Sequence, residues 1–311
     1  KYVNDSSALG MFEPVWYRGP VTDGKNGDGR TGDGIQMAQL VGAGVKGMHT
    51  IAGNAPYLAD LPPINQFMGA DELKQGRCAL AQPWLWVDQH GKRFFNESRG
   101  AVFVDVYNAM TSAGGVMYNI IDQQKYDQLV NKGALLPFNA IVLAGVPLKA
   151  LPKTFEIGQQ RGWAFKADTI DDLAAQIGVP ASNLKETMNK VNEYAKAGKD
   201  PEFGRLPEHL ATFNMEKGPY YALKGIRAFF LTLGGVTVNP KFQALNPQGD
   251  VIDNLYVVGQ DIGGLYDSSY DLRCEGSASS FAMTSGRLAA DNALADVKAG
   301  KIGRASCRER V

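Results

Sequence analysis

The sequence predicts an α/β fold, and three observations support this expectation. An apolar run at 255–258 is followed at once by Gly259, as expected for a buried strand that ends in a turn. A helix rich in small residues begins near Ser277, and an amphipathic helix is predicted at 168–177. The length of 311 residues is typical of two domains.

The stretch 255–290 places a strand, a glycine-rich loop and a helix N-terminus in succession. In α/β proteins this order brings the positive end of the helix close to the carboxyl end of the strand, where anionic or electron-rich ligands bind. From Ser277 onward, small and apolar residues recur at helical spacing on one face: Ala278, Phe281, Ala282, Ser285, Ala289 and Ala293. We therefore expect the ligand chemistry to be concentrated in this stretch.

Composition argues against several classes of protein. With 44% hydrophobic and 21% charged residues, the chain is expected to be soluble and globular. Residues 302–311 resemble a translated sequencing adapter, and we expect them to be a non-native tail. Without this tail the chain has 29 basic and 31 acidic residues, a net charge of −2 that does not favour nucleic-acid binding. The cysteines lack metal-site or disulfide spacing, and no apolar run approaches the 18 residues of a membrane span.

Two glycine-rich patterns lie near the start of the chain. Gly27, Gly29 and Gly32 satisfy G-x-G-x-x-G, but no strand precedes them and no acidic strand end follows, so a flexible turn is the better interpretation. The sequence TGDG at 31–34 precedes a helical pattern. It predicts a helix with Asp33 as its N-cap, ending at Gly42 or Gly44. Asp33 could be a plain cap or a ligand contact, and both interpretations stay open.

The middle of the chain predicts strands and a helix pair. Residues 84–87 and 92–95 have strand character with Gly91 in the turn between them, and 115–122 is a further strand. The helix at 168–177 is followed by a second one, capped by Ser182 and ended by Gly198. We interpret this helix pair as structural, because its apolar faces carry no catalytic residue types.

These patterns resemble the flavoprotein subunits of the fumarate reductase and succinate dehydrogenase superfamily. The matching pieces are TGDG (31–34), GKRFFNE (91–97), the glycines Gly259, Gly263, Gly264 and Gly276, and Arg273, Ser277 and Ala278. The likeness extends from Thr31 to Ala293. It implies a partial Rossmann-like FAD-binding domain, formed by 1–50 and 218–301, with an inserted α+β capping domain at 51–217 that takes part in substrate binding.

The resemblance also implies FAD as cofactor. The residues expected to contact it are Asp33, Gly34, Gly234, Gly259, Gln260, Gly276, Ser277 and Ala278. The strand-turn-helix that holds the FAD pyrophosphate in relatives is expected to lie outside this sequence. We therefore expect the chain to be a carboxyl-terminal fragment that is inactive alone.

The implied reaction is hydride transfer between flavin and an unsaturated organic acid or enone. Relatives hold dicarboxylates with histidines, a Thr-Glu pair and arginines, but here Leu231 replaces one histidine and no Thr-Glu pair is evident near 72–78. The proton-donating arginine falls on Ala101, with Arg99 two positions away, and only Arg273 lies on its motif position. Because one arginine cannot neutralise two desolvated carboxylates, fumarate is not the expected substrate.

Arg273, Tyr270 and Arg99 are the predicted catalytic residues. Tyr270 and Tyr266 belong to an inserted loop ahead of Arg273, similar to a loop in flavin ketosteroid dehydrogenases where a tyrosine polarises a carbonyl. Lid packing for the tyrosines and a salt bridge for Arg273 remain alternatives. The function alternatives are a 3-ketosteroid 1-dehydrogenase-like enzyme and a non-catalytic, electron-passing flavin subunit. The expected partners are a small-molecule substrate and an electron-donor protein.

Overall fold

A computed structural model describes residues 32–48, 51–60, 66, 69–139, 141–266 and 276–300, with the side chains of 51, 52 and 228–231 left out. These residues form a mixed helix-and-sheet fold, as the sequence predicts. The helices are α1 (Asp33–Leu40), α2 (Asp71–Leu80), α3 (Phe103–Ser112), α4 (Gln123–Asn131), α5 (Leu151–Arg161), α6 (Ile170–Ile177), α7 (Ala181–Ala197) and α8 (Ser277–Lys298). The strands are β1 (Val45–Lys46), β2 (Ile51–Leu58), β3 (Leu85–Val87), β4 (Val116–Asp122), β5 (Ala164–Ala167), β6 (Tyr220–Thr232), β7 (Gly235–Val236), β8 (Gln243–Leu245) and β9 (Val251–Tyr256).

The chain divides into two compact units. The first contains the described residues up to Ala52 and from Phe230 onward, and the second contains Gly53–Phe229. The sequence predicts that the inserted domain ends at 217, whereas the second unit continues twelve residues further. The physical reason is strand pairing, because residues 220–226 of β6 are hydrogen-bonded to β4 and cannot leave the sheet.

A five-stranded sheet organises the second unit. Its order is β2-β6-β4-β3, with β5 also paired to β6. The antiparallel register places Leu223 opposite Asn119 of β4 and opposite Ala164 of β5. Three tryptophans, Trp84, Trp86 and Trp163, are among its largest fully buried side chains. The second unit therefore has a core of its own.

The predicted hairpin at 84–95 is only half correct. β3 forms, but it pairs with β4, with Trp86 opposite Asn119, and residues 92–95 are not a strand. The Asp88 side chain accepts hydrogen bonds from the backbone amides of His90 (2.8 Å) and Lys92 (3.0 Å), which closes a turn. Arg93 then enters the interior to meet buried acids, and this burial replaces the ladder that the alternating pattern predicted.

The predicted helix pair is confirmed, with one cap corrected. Thr169 caps α6 by accepting a hydrogen bond from the Asp172 amide (3.1 Å). α7 ends at Ala197, and its C-cap Gly198 has a left-handed φ of 65°. Ser182 lies inside α7 instead of capping it. Pro180 fixes the extended backbone ahead of the helix and takes the cap position.

The first unit has a small core built by α1 and short strands. Its buried members are Ile35, Ala38, Ala43, Val236, Ala244, Val257 and Ile262. β1 pairs with β7, and β8 pairs with β9, both antiparallel. α1 ends at Leu40 and Gly42 follows with φ 93°, which confirms the glycine stop.

Over the ranges that the structure describes, none of the helices combines the length and the apolar content needed to cross a bilayer. Over the same ranges, no three His, Cys, Asp or Glu side chains lie close enough together to hold a metal ion.

Candidate functional site

Three glycine-containing backbone segments meet in the first unit, which we call the glycine junction. They are Lys46–Gly47, Gly234–Gly235 and Gly263–Gly264. The Gly263 amide donates to the Val236 carbonyl (3.0 Å), and Lys46 is paired with Gly235 across β1 and β7. A Cβ on Gly263 would lie 2.5 Å from the Lys46 carbonyl oxygen, and one on Gly234 would lie 2.5 Å from that of Gly47. Backbone therefore touches backbone here, and side chains are excluded.

Next to the junction, a short 3-10 turn (Gly259–Asp261) is attached to α8. Gly259 has a left-handed φ of 63°, and its amide donates to the Ser285 hydroxyl (3.0 Å). Ser285 is fully buried, and a Cβ on Gly259 would lie 3.4 Å from the Ala282 Cβ. The sequence placed Ser285 only on the packed face of the helix, because helical spacing shows burial and not a bond to a distant turn. Ser285 thus positions the predicted residues Gly259 and Gln260.

Gln260 brings an unused donor to this turn. Its Nε2 atom is buried and has no hydrogen-bond partner among the residues that the structure describes. A primary amide carries two N–H donors there, and leaving a buried donor unsatisfied costs about 1–3 kcal/mol. The Gln260 amide is therefore suited to donate to a bound group.

The N-terminus of α8 offers further donors. The helix begins at Ser277 as the sequence predicts, after Gly276 with φ 80°. Within the described chain, no side chain caps this end and no acid lies in its first turn, which includes Ala278. The first backbone amides of a helix have no partner within the helix, and the helix dipole gives this end a partial positive charge. Tyr266 donates its hydroxyl hydrogen to Ser277 Oγ (3.3 Å), which places a phenol at the same end.

Asp33 and Gly34 lie at the start of α1, and the predicted cap shifts by one residue. Gly32 is the N-cap, with φ 84°, and Asp33 is the exposed first residue of the helix. A left-handed cap favours glycine, which explains why the aspartate does not occupy it. A Cβ on Gly34 would overlap the Asp261 carboxylate, so the missing side chain admits this acid to the first turn of α1. Direct cofactor contacts by Asp33, Gly34 and Gly234 stay predictions.

Arg99 is the described member of the predicted catalytic set. It ends a 3-10 turn, Glu97–Arg99, in the second unit, and its side chain is 55% exposed. Its Nε donates to Asp105 Oδ2 (2.7 Å), so its charge is already offset by an acid. Tyr270 and Arg273 lie outside the described residues, and so does the side chain of Leu231.

A buried ion network holds the backbone around Arg99. Arg93 Nη2 lies 2.6 Å from Glu97 Oε2 and 2.7 Å from Asp200 Oδ2, and all three side chains are at most 1% exposed. Burial raises the pKa of Asp200, but hydrogen bonding and charge from Arg93 outweigh this and lower the pKa to about 2. The network joins GKRFFNE (91–97) to the loop after α7. These motif residues are thus structural in the described chain.

The FAD binding domain family matches residues 20–276, more than three quarters of the 311-residue chain. The chain belongs to the FAD-binding flavoprotein family that includes the fumarate reductases. This confirms the resemblance seen in the motifs, and FAD is the cofactor of the family.

Two curated relatives share sequence with this flavoprotein. A vinyl phenol reductase from Lactiplantibacillus plantarum is 29% identical over 271 residues, which cover 86% of this chain and 53% of the relative. An NADH:acrylate oxidoreductase from Vibrio harveyi is 28% identical over 271 residues, 86% of this chain and 23% of the relative. The chain thus spans about half or less of the length of these relatives.

A solved structure shares the fold. The open conformation of a flavocytochrome c3 fumarate reductase is similar with a TM-score of 0.54 and 24% identity, over 85% of this chain and 40% of the other.

The described residues of the first unit fit FAD. The flavin and its ribityl chain present carbonyl, ring-nitrogen and hydroxyl acceptors. The unit offers two kinds of donor: the Gln260 Nε2 atom, which has no hydrogen-bond partner among the described residues, and the N-terminus of α8, which no described side chain caps. The glycine junction leaves no side chain between its three backbones. When bound, FAD supplies or takes up a hydride.

Replacing Gln260 by Leu should weaken FAD binding by roughly fivefold, because one buried hydrogen bond contributes about 1 kcal/mol. The measurement is the FAD dissociation constant of the full-length protein, from quenching of flavin fluorescence. The exposed Gln248, changed to Leu in the same way, should leave the constant unchanged. Equal affinity in both variants would show that Gln260 does not contact the cofactor.

Proposed function

We propose that the protein is an FAD-dependent oxidoreductase that transfers a hydride between flavin and an unsaturated organic acid or enone other than fumarate. The family match over residues 20–276 carries this proposal. The names of both curated relatives, a vinyl phenol reductase and an NADH:acrylate oxidoreductase, are consistent with reduction of a conjugated C=C bond.

In this proposal the first unit is part of a Rossmann-like FAD-binding domain, and the second unit is the capping domain. Gln260 and the N-terminus of α8 hold the flavin. Arg273 orients the unsaturated substrate by binding the carboxylate or carbonyl group that is conjugated to its C=C bond. The Arg99–Asp105 pair supports the exclusion of fumarate, because it removes one cation from those that a dicarboxylate needs. An electron-donor protein is a further partner in the same proposal.

One observation favours a second candidate, a dehydrogenase of ketosteroid type. Tyr266 points its hydroxyl at Ser277 Oγ, which places a phenol at the N-terminus of α8. A phenol has one hydrogen to donate, so Tyr266 would turn it from Ser277 Oγ to the oxygen of a bound ketone; because the phenol is neutral, it does not balance the charge of a carboxylate. Bleaching of oxidised flavin by a saturated cyclic ketone, with no reoxidation of reduced flavin by an enoate, would favour this candidate.

Replacing Arg273 by Ala should lower turnover at least tenfold while FAD stays bound, because the acceptor loses its charge-assisted hydrogen bonds. Flavin absorbance and steady-state turnover of the full-length protein measure the two effects separately. Arg287 of α8 is 68% exposed and serves as the control, with Arg287→Ala expected to behave like the wild type. Unchanged turnover in Arg273→Ala would remove the proposed role.

A further inference from the structure

Arg77 of α2 is a buried cation that no described acid compensates. The side chain is fully buried, and its Nε, Nη1 and Nη2 atoms have no hydrogen-bond partner within the described ranges. A guanidinium carries five N–H donors in a planar fork. All five are thus available to an acceptor that the described protein does not supply.

Three aromatic rings surround this guanidinium. Its central carbon lies 5.0 Å from the ring centre of Tyr57 and 4.9 Å from those of Phe103 and Phe138. Such cation–π contacts stabilise the charge, but they do not replace strong hydrogen-bond acceptors in the guanidinium plane. The rings therefore form an apolar box around an unsatisfied cation.

The charge persists in this box. Burial lowers the pKa of Arg77 to about 10, which keeps the side chain protonated at neutral pH. The neighbouring Cys78 is not its counter-ion, because burial raises the pKa of that thiol to about 12. Leaving a charge buried without a partner is strongly unfavourable.

Arg93 provides the comparison within the same unit. It is equally buried, yet Glu97 and Asp200 take up its donors at 2.6 and 2.7 Å. Arg77 also lies in the stretch 72–78, where the Thr-Glu pair of the relatives is not evident. The family motifs therefore assign no role to Arg77. The second unit thus contains one buried guanidinium that is paired and one that is not. The unpaired one indicates a functional site, because buried charges with perturbed pKa values are concentrated at such sites.

We infer that Arg77 is a binding site for the carboxylate of a small organic monoacid with an apolar body. A carboxylate matches the guanidinium fork with two parallel hydrogen bonds, and the three rings suit the apolar part of the ligand. Arg77, Tyr57, Phe103 and Phe138 all belong to the second unit.

A ligand reaches Arg77 by displacing one ring. Tyr57 is fixed in β2 and Phe103 in α3, whereas Phe138 lies in the connection between α4 and α5. Connections change conformation at lower cost than strands or helices. Phe138 is therefore the ring that moves, and Phe138→Ala should accelerate binding.

The test uses the full-length holoprotein with 3-phenylpropionate, a saturated carboxylate that cannot be reduced, and with the neutral 3-phenylpropionamide. The carboxylate should raise the melting temperature of the wild type, and the amide should not. Arg77→Met should abolish this shift and melt no lower than the wild type without ligand, because it removes an uncompensated charge. Arg77→Lys keeps the charge without the fork, and about tenfold weaker carboxylate binding is expected. The exposed Arg161, changed to Met, should keep the full shift.

Turnover identifies the source of the carboxylate. If Arg77→Met also loses the preference for an enoate over its amide, the ligand is the acceptor of the proposed reaction. If that preference persists while the thermal shift is lost, the ligand is a separate effector acid. A wild type that shows no shift, or an Arg77→Met or Arg77→Lys variant with the full shift, overturns the inference. FAD binding and turnover of a neutral enone report independently on the proposed function.

Discussion

Replacing Arg93 by Met should destabilise the second unit by about 3–5 kcal/mol, because Glu97 and Asp200 would lose their hydrogen-bonded counter-charge. Arg205, whose Nε lies 3.7 Å from Glu97 Oε2, would be the one remaining described cation in this network. Urea unfolding monitored by tryptophan fluorescence measures this loss. Three of the four tryptophans of the chain, Trp84, Trp86 and Trp163, are in the core of that unit. The fluorescence change therefore reports mainly on its unfolding.

Two variants serve as controls for Arg93→Met. Arg161→Met removes an exposed arginine from the last turn of α5 and should change stability by less than about 0.5 kcal/mol. Arg77→Met removes a buried but unpaired arginine and should not destabilise the unit. A loss below about 1 kcal/mol in Arg93→Met would mean that the network does not hold the loop around Arg99.

Replacing Gly263 by Ala should destabilise the first unit by about 1–3 kcal/mol and prevent FAD binding, because the added methyl group would overlap backbone on two sides. Its Cβ would lie 2.5 Å from the Lys46 carbonyl oxygen and 2.6 Å from the Gly235 amide nitrogen. Neither atom can move without separating β1 from β7. The visible absorbance of the purified full-length protein, relative to its protein absorbance, measures the bound flavin.

Gly286 of α8 is the matched control for Gly263. A Cβ there would meet no atom within 4 Å, and Ala favours a helix over Gly by up to about 1 kcal/mol. Gly286→Ala should therefore keep its flavin and be slightly more stable. A Gly263→Ala protein with a full complement of FAD would show that the close approach of the three backbones is not required.

Local signals predicted the elements that they encode directly. α8 starts at Ser277, because the left-handed Gly276 and the small residues that follow specify a helix start within a few positions. β4 appears as its apolar run predicts. The helix pair that ends at Gly198 follows from a period of 3.6 residues and a glycine stop.

Features that depend on distant partners were not predictable in this way. Residues 92–95 alternate like a strand, yet Arg93 is drawn inside by Asp200, an acid 107 residues away. The bond from the Gly259 amide to Ser285 also joins residues far apart in sequence. In the sequence, nothing distinguishes Arg77 from other arginines on helices. The fold shows that three aromatic rings surround its guanidinium and that no described acid pairs with it.

The candidate site was predicted in part. The glycines at 259, 263 and 264 and the helix start at 276–278 come together in one unit, as the motifs indicated. The sequence does not show why a particular position requires glycine. At Gly34 the reason is the Asp261 carboxylate, which occupies the space beside it and is more than 200 residues away in sequence.

Reoxidation of the reduced flavin tests the central claim most directly. The full-length protein with bound FAD is reduced anaerobically and mixed with a conjugated enoate, an enone or fumarate, and the return of flavin absorbance is followed in time. We expect rapid reoxidation by an enoate or enone, with release of the saturated product, and slow or no reoxidation by fumarate. A protein that binds no FAD, or a reduced flavin that none of these acceptors reoxidises, would contradict the proposed function.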